Sequence, residues 1–278
     1  MLFIVNPISG TLTKKLIIAT LKKRGFKVVS TEYAGHAEQI ARDASERIIV
    51  AVGGDGTVNE VARGILGTDK VLGIIPCGSG DGLALHLGIS RHFKLALKTI
   101  LNGKIQQIDS GFINERPFFS VCGIGFDAIV SEKFANSGKR GILNYIEIGL
   151  KTWNEYTPEK YKVEIDNESF EIEASIITVG NSSQWGNHAK IAPRANISDG
   201  MLDITAVDRF SSIEIPSLAV LLMTGALDKN HHVHCYRGRN IKITRSVAGP
   251  AHADGDWFSA DKEINICIRP HSLNVIIP

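Results

Sequence analysis

The sequence is poor in several features that would narrow its class at once. Only four cysteines occur in 278 residues (Cys77, Cys122, Cys235, Cys267), far apart and without a CxxC pair. That excludes a disulfide framework and leaves reduced core thiols in a cytosolic protein. No charge of one sign dominates: 31 Lys and Arg against 29 Asp and Glu leave a formal charge of +2. Nucleic acid therefore has no electrostatic claim as a partner, and any anionic ligand needs local positive groups. No long hydrophobic run is present. The most apolar stretch, 213–227, contains Glu214 and Pro216 and is too short to span a bilayer. Met1-Leu2-Phe3-Ile4-Val5 lacks a basic region and meets Asn6-Pro7 too soon for a secretion signal. No GxxxxGK[ST] motif occurs, which excludes a P-loop enzyme. With 44% hydrophobic and 22% charged residues the chain is neither disordered nor fibrous. It reads as a soluble, cytoplasmic protein that is free to sit on a membrane surface.

The length favours one large domain or two modest ones. Short apolar strands at 2–5, 27–31, 47–52 and 71–76 alternate with helical patterns at 13–24, 37–45, 57–66 and, broken, at 83–101. Strand and helix in alternation predict a parallel sheet with helices on both faces. After about 106 the rhythm changes. Candidate strands follow at 107–112, 118–122, 161–165, 170–179, 202–207, 240–244 and 263–268, with helical pattern only at 141–153 and 211–227. Lys162-Val163-Glu164-Ile165 and Glu171-Ile172-Glu173-Ala174 alternate at period two, as strands with one wet face do. The chain divides near 108 into an α/β domain (1–108) and a mostly β domain (109–278), the extreme C-terminus being free to return to the first.

The sharpest local signal is Gly53-Gly54-Asp55-Gly56-Thr57-Val58-Asn59-Glu60, which leaves an apolar strand and enters a helix. Three glycines in four residues let the backbone turn sharply and bring its N–H groups to a ligand. The helix start adds a positive dipole end, so the loop is a phosphate cradle. An Asp inside it makes sense if it binds a Mg²⁺ shared with phosphate or accepts a hydroxyl proton; a helix cap is the plain alternative. Pro76-Cys77-Gly78-Ser79-Gly80-Asp81-Gly82 repeats the chemistry after another strand. Two such loops at the carboxyl ends of strands of one parallel sheet converge on one crevice.

These loops, with Asn6-Pro7-Ile8-Ser9-Gly10, resemble the diacylglycerol kinase and sphingosine kinase catalytic family of lipid kinases, including its bacterial members. The resemblance continues through 31–37, Gly123-Ile124-Gly125-Phe126-Asp127-Ala128, Gly180-Asn181, Ile191-Ala192-Pro193, 198–203 and Ala253-Asp254-Gly255-Asp256, in family order over nearly the whole chain. It implies a Rossmann-like α/β nucleotide-binding domain, a β-sandwich domain of the NAD kinase and diacylglycerol kinase type, and ATP in the cleft between them. By position, Asn6 and Thr31 would lie near the adenosine. Gly53, Gly54, Gly56, Thr57, Asn59, Glu60, Gly78, Ser79 and Gly80 would surround the phosphates. Asp81 and Asp127 would line the lipid headgroup site, Lys139 and Arg140 would reach the phosphates or form a solvated turn, and Asp199 would hold a structural Mg²⁺ or sit in a tight turn. The resemblance implies ATP and Mg²⁺ as cofactors. The partners it implies are a lipid substrate and, during turnover, a membrane surface, with a homodimer left open because some bacterial members dimerise.

Two departures stand out. The family usually ends in Asp-Gly-Glu, whose Glu is the proposed base of bacterial diacylglycerol kinases; here the position is Asp256, one methylene shorter. Sphingosine kinases are thought to use the Asp of the first loop, here Asp55. Both acids are expected to be essential, and the sequence does not rank them. After Gly-Ser-Gly, diacylglycerol kinases read Asn-Asp-Phe-Ala. Asp81-Gly82-Leu83-Ala84 looks more like sphingosine kinases, tilting the substrate toward a single-chain lipid. The alternatives are an NAD kinase, which shares GGDGT, and a lapsed nucleotide or lipid sensor. Gly123–Ala128 also fits GxGxxA, but the Rossmann reading needs a strand near Glu147 where the pattern is helical. His231-His232-Val233-His234-Cys235 has zinc-like residues. On a strand only His232 and His234 would share a face, without a third ligand.

Overall fold

The computed structural model describes residues 1–7, 13–138 and 142–278. Ile8, Ser9 and Gly10 of the first motif, and the Lys139-Arg140-Gly141 stretch, lie outside the described residues. The chain forms two compact units, Met1–Asp109 with Pro270–Pro278, and Ser110–Arg269.

The first unit is the α/β one. Its elements are β1 (Leu2–Val5), α1 (Thr13–Lys23), β2 (Lys27–Ser30), α2 (His36–Asp43), β3 (Ile48–Gly53), α3 (Asp55–Ile65), β4 (Val71–Pro76), α4 (Gly82–His86), α5 (Phe93–Asn102) and the start of β5 (Lys104–Ile113). Strands β2, β1, β3 and β4 are neighbours in that order and all parallel. Asn274 and Val275 add a further parallel strand beside Val71 and Leu72. β3 and β4 read as continuous apolar runs because both faces of a helix-covered parallel sheet are buried. Gly25, left-handed at φ 79°, ends α1, with the Phe26 N–H reaching back to the Leu21 carbonyl. Gly64 lets α3 press on α2: a Cβ there would lie 2.4 Å from the Glu38 carbonyl oxygen.

The second unit contains the end of β5, then β6 (Arg116–Phe118), β7 (Val121–Gly125), α6 (Phe126–Asn136), α7 (Ile142–Glu155), β8 (Glu159–Ile165), β9 (Glu168–Ala174), β10 (Ile176–Gly180) and β11 (Leu202–Val207). It continues with α8 (Ile215–Thr224), β12 (Val233–Gly238), β13 (Asn240–Arg245), β14 (Gly249–Ala253), β15 (Asp256–Ala260) and the first part of β16 (Glu263–Ile277). β16, β13, β8 and β9 form one antiparallel face. A six-stranded antiparallel sheet runs β12-β11-β10-β7-β14-β15. Side chains of both sheets, among them Phe118, Ile124, Tyr161, Ile204, Ile243 and Ile264, fill one core. This is a β-sandwich. A second apolar cluster, including Val121, Ile176, Val207 and Leu218, involves α8.

Four expectations need correction. α6 (Phe126–Asn136) is a helix where the pattern showed none. The strand expected at 170–179 is two strands, broken at Ser175, whose carbonyl accepts the Phe126 N–H and whose N–H donates to the Val207 carbonyl. β9 and β10 thus serve different sheets, a switch that an unbroken β-prone run does not announce. β14 and β15 were not anticipated, although Asp254-Gly255 forms a two-residue hairpin turn with φ 51° and 84°. β12 starts at Val233, so His231 and His232 lie in the preceding turn rather than on a strand.

Candidate active site

In the first unit the motif residues gather at the carboxyl ends of the parallel strands. Asn6 follows β1 and donates its N–H to the Val52 carbonyl; Thr31 follows β2 and donates to Val5. Gly53 ends β3, and a Cβ there would lie 2.4 Å from Thr57 Oγ1. The second loop leaves β4 alongside, the Cys77 N–H donating to the Gly53 carbonyl at 2.7 Å. The two loops touch backbone to backbone, since a Cβ on Gly78 would lie 2.7 Å from the Gly54 Cα. Only glycine allows that approach.

Asp55 ties the loops together. Its Oδ2 accepts the Asp81 N–H at 2.8 Å and its Oδ1 the Gly82 N–H at 2.7 Å. Asp81 is buried and left-handed at φ 48°. Its Oδ1 accepts the Gly78 N–H, and its Oδ2 lies 3.1 Å from Arg91 Nε. Burial raises the Asp81 pKa, against the pull of the Gly78 N–H. Arg91 also donates to the Ser79 and Gly80 carbonyls at 3.0 and 2.8 Å, bracing the second loop from outside. Lys14 is buried, donates from Nζ to the Asn6 carbonyl at 2.6 Å, and has its pKa lowered by that burial. Lys14 and Arg91 line a cavity of about 350 Å³ with Cys77, Gly78 and Asp81. Lys14 was visible as a lysine on the face of Ile17 and Leu21, three and seven residues on; Arg91 carries no sequence signal. Thr57 and Asn59 are buried in α3. The Glu60 carboxylate accepts the Gly35 and Ala37 N–H groups at 2.9 and 3.0 Å, at the start of α2.

In the second unit, Asp254 is the hub. Its carboxylate accepts the N–H groups of Phe119, Ser120 and Val121 at 2.8, 2.8 and 3.0 Å. Burial pushes its pKa up to about 6, outweighing those three donors. Asn181 donates its N–H to the Ser120 carbonyl and its side chain to the Phe119 carbonyl. Asp256, two residues after Asp254, is exposed at the head of β15 and pairs with Ala253 across the hairpin. Asp127 begins α6 and is buried. Its Oδ2 accepts from Thr178 Oγ1 at 2.9 Å and meets His252 Nε2 at 3.1 Å. The Gly255 N–H lies 3.4 Å from His252 Nδ1, so the partners assign the ring proton to Nε2. Gly123 makes room for this pair: a Cβ there would lie 2.3 Å from Asp127 Oδ2.

Asp127 also borders an apolar slot of about 280 Å³, walled by Phe126, Trp153, Phe210, Ile215, Leu218 and Leu222. Trp153 sits between Phe126, edge-on at 4.9 Å, and Phe210, stacked at 4.2 Å. Gly149 of α7 lines the slot, and a Cβ there would meet nothing within 4 Å. The same two helices leave Ile146, Leu150, Val220 and Met223 exposed. Among the described residues no helix is long and apolar enough to cross a membrane.

Asp199 sits elsewhere. Its Oδ1 accepts the Met201 N–H, and its Oδ2 is paired with Arg237, which also lies 3.3 Å from Asp203 Oδ1. The cation joining these two carboxylates is a guanidinium. Lys139 and Arg140 lie outside the described residues.

The comparisons with known proteins agree with this geometry. Residues 1–113 match the diacylglycerol kinase catalytic domain, and residues 120–277 match the YegS C-terminal NAD kinase beta sandwich-like domain. An uncharacterized protein of Synechocystis is 32% identical over 241 residues, 84% of this chain; the chain spans only 55% of that protein. A diacylglycerol kinase of Bacillus subtilis is 29% identical over 268 residues, 91% of this chain and 88% of its own length. The crystal structure of a diacylglycerol kinase from Bacillus anthracis covers the whole chain, and 96% of itself, with a TM-score of 0.76 at 22% identity, a likeness of fold. Two family domains in order, covering nearly all of the sequence, leave one assignment: this chain is an enzyme of the diacylglycerol kinase family of lipid kinases.

Proposed function

We propose that the enzyme transfers the γ-phosphoryl group of ATP, taken up as its Mg²⁺ complex, to a lipid hydroxyl, and that one alkyl chain of the acceptor occupies the apolar slot. The slot carries the reading. Its walls are aromatic and aliphatic, one buried carboxylate stands at its edge, and its 280 Å³ hold roughly ten methylenes. That suits a single chain, such as that of a monoacylglycerol or a sphingoid base, or one chain of a diacylglycerol.

The first unit supplies the nucleotide chemistry. Backbone N–H groups of the two glycine-rich loops, with Lys14 and Arg91 behind them, offer donors and positive charge to the phosphates. Mg²⁺ would neutralise charge on the phosphate oxygens. With both Asp55 oxygens accepting backbone N–H groups, Asp55 keeps the loops in register. Asp256, open to solvent, takes the proton of the acceptor hydroxyl as its oxygen bonds to the γ-phosphorus and ADP leaves. Asp127, held by Thr178 and His252, accepts a hydrogen bond from the headgroup. The exposed apolar residues of α7 and α8 rest on the membrane while the acceptor enters.

The test is transfer from γ-labelled ATP with Mg²⁺ to diacylglycerol, monoacylglycerol, sphingosine, ceramide and phosphatidylglycerol in detergent micelles, with NAD as the soluble control. Label in the organic extract with a single-chain or diacyl acceptor supports the reading. Label in NAD, or ATP binding with transfer to no acceptor, overturns it.

A further inference from the structure

The turn before β12 places two imidazoles beside a carboxylate. Glu214 ends a short 3₁₀ turn, Ser212–Glu214, immediately before α8. His232 Nε2 lies 3.2 Å from Glu214 Oε1, and the His231 and His232 rings are 4.0 Å apart. One donor atom from each of the three residues lies within 4.8 Å of the other two. Two features pre-position the set. Glu214 Oε2 accepts the Ser211 N–H at 2.9 Å in a capping box, which fixes the carboxylate. Asn230 Oδ1 accepts the His232 N–H at 2.9 Å, which fixes the turn.

We infer that Glu214, His231 and His232 bind a divalent transition-metal ion of the zinc class. Zinc takes imidazole nitrogen at 2.0–2.1 Å and carboxylate oxygen at about the same distance, so neighbouring ligands of a tetrahedral site stand about 3.3 Å apart. The His232–Glu214 separation already has that value. His231 is exposed and, among the described residues, makes no hydrogen bond through its ring, so a side-chain rotation closes the third edge. Imidazole donors select zinc, copper or nickel over magnesium and calcium. Three protein ligands leave the fourth position to water. The ion would tie the turn entering β12 to the start of α8, the helix that supplies Ile215, Leu218 and Leu222 to the slot.

The full chain, freed of metal by a chelator, is titrated with Zn²⁺ by calorimetry and with Co²⁺ by visible absorption. The inference expects one ion per chain with micromolar affinity, a tetrahedral Co²⁺ spectrum without a thiolate charge-transfer band, and slower hydrogen exchange over α8 with Zn²⁺ bound. Glu214→Gln and His231→Ala should each weaken binding at least tenfold. His234→Ala should not, because His234 pairs separately with Asp208 at 2.8 Å. Binding no tighter than millimolar, or undiminished binding by a folded His231→Ala/His232→Ala double variant, would overturn it.

Discussion

Gly149→Leu puts the slot to a quantitative test. Gly149 lies inside α7, where glycine costs about 1 kcal/mol relative to alanine, yet nothing stands within 4 Å of the Cβ it lacks. Open space on the slot side is what the missing side chain provides. Leucine would place about four carbons there, displacing about four methylenes of a bound chain. At ~0.8 kcal/mol each this is ~3 kcal/mol, or roughly 200-fold in kcat/KM for an acceptor that fills the slot. The same substitution improves helix propensity, so the thermal midpoint should rise by a degree or two rather than fall. The assay is kcat/KM against acceptor chain length for wild type and variant. An acceptor about four carbons shorter should be nearly indifferent to the substitution. An equal loss at every chain length, or full activity on the longest acceptor, would show that the slot does not hold the chain.

Three further outcomes are expected. Asp55→Asn should lower transfer by at least 100-fold while the protein stays folded, because an amide NH₂ would face the Asp81 and Gly82 N–H groups where two acceptors are needed; near-normal turnover of the folded variant would remove Asp55 from the site. Arg91→Ala should raise the KM for ATP roughly tenfold and leave that for the lipid unchanged, since the guanidinium braces the Ser79 and Gly80 carbonyls; a shift in lipid KM alone would contradict this. Asp254, raised to about 6 when folded against about 4 unfolded, stabilises the protein below pH 4 and loses that contribution as pH rises through 6. The stability of wild type relative to Asp254→Asn should therefore fall by on the order of 3 kcal/mol between pH 4 and 7 in chemical denaturation; a flat or rising difference would mean that the three N–H donors outweigh burial.

The sequence was most informative where local chemistry decides the structure. Apolar runs followed by glycine clusters placed both glycine-rich loops at the ends of β3 and β4, because glycine's freedom and strand burial are properties of short segments. What escaped depends on contacts between distant residues. Asp127 and His252 are 125 positions apart, and neither carries a mark of the other. Asp55 reads in sequence as a catalytic acid, and nothing in the sequence marks the Asp81 and Gly82 N–H groups that its two oxygens accept. The histidines mislead by phase: a strand beginning two residues later than assumed puts His231 and His232 together and sends His234 to Asp208. The slot is built from three helices and two strands, and apolar periodicity alone does not distinguish a wall from a packed core.

The route of β16 has a consequence for synthesis. The second unit is a continuous segment, Ser110–Arg269, whereas the first is completed only by Pro270–Pro278. On the ribosome, the β-sandwich can therefore close while the nucleotide-binding unit still waits for its last strand. Until Asn274 and Val275 arrive, that side of β4 presents Val71 and Leu72 unpaired, an edge onto which another nascent chain could add. The unit made first is thus the one finished last, and chaperone demand during translation should concentrate on it.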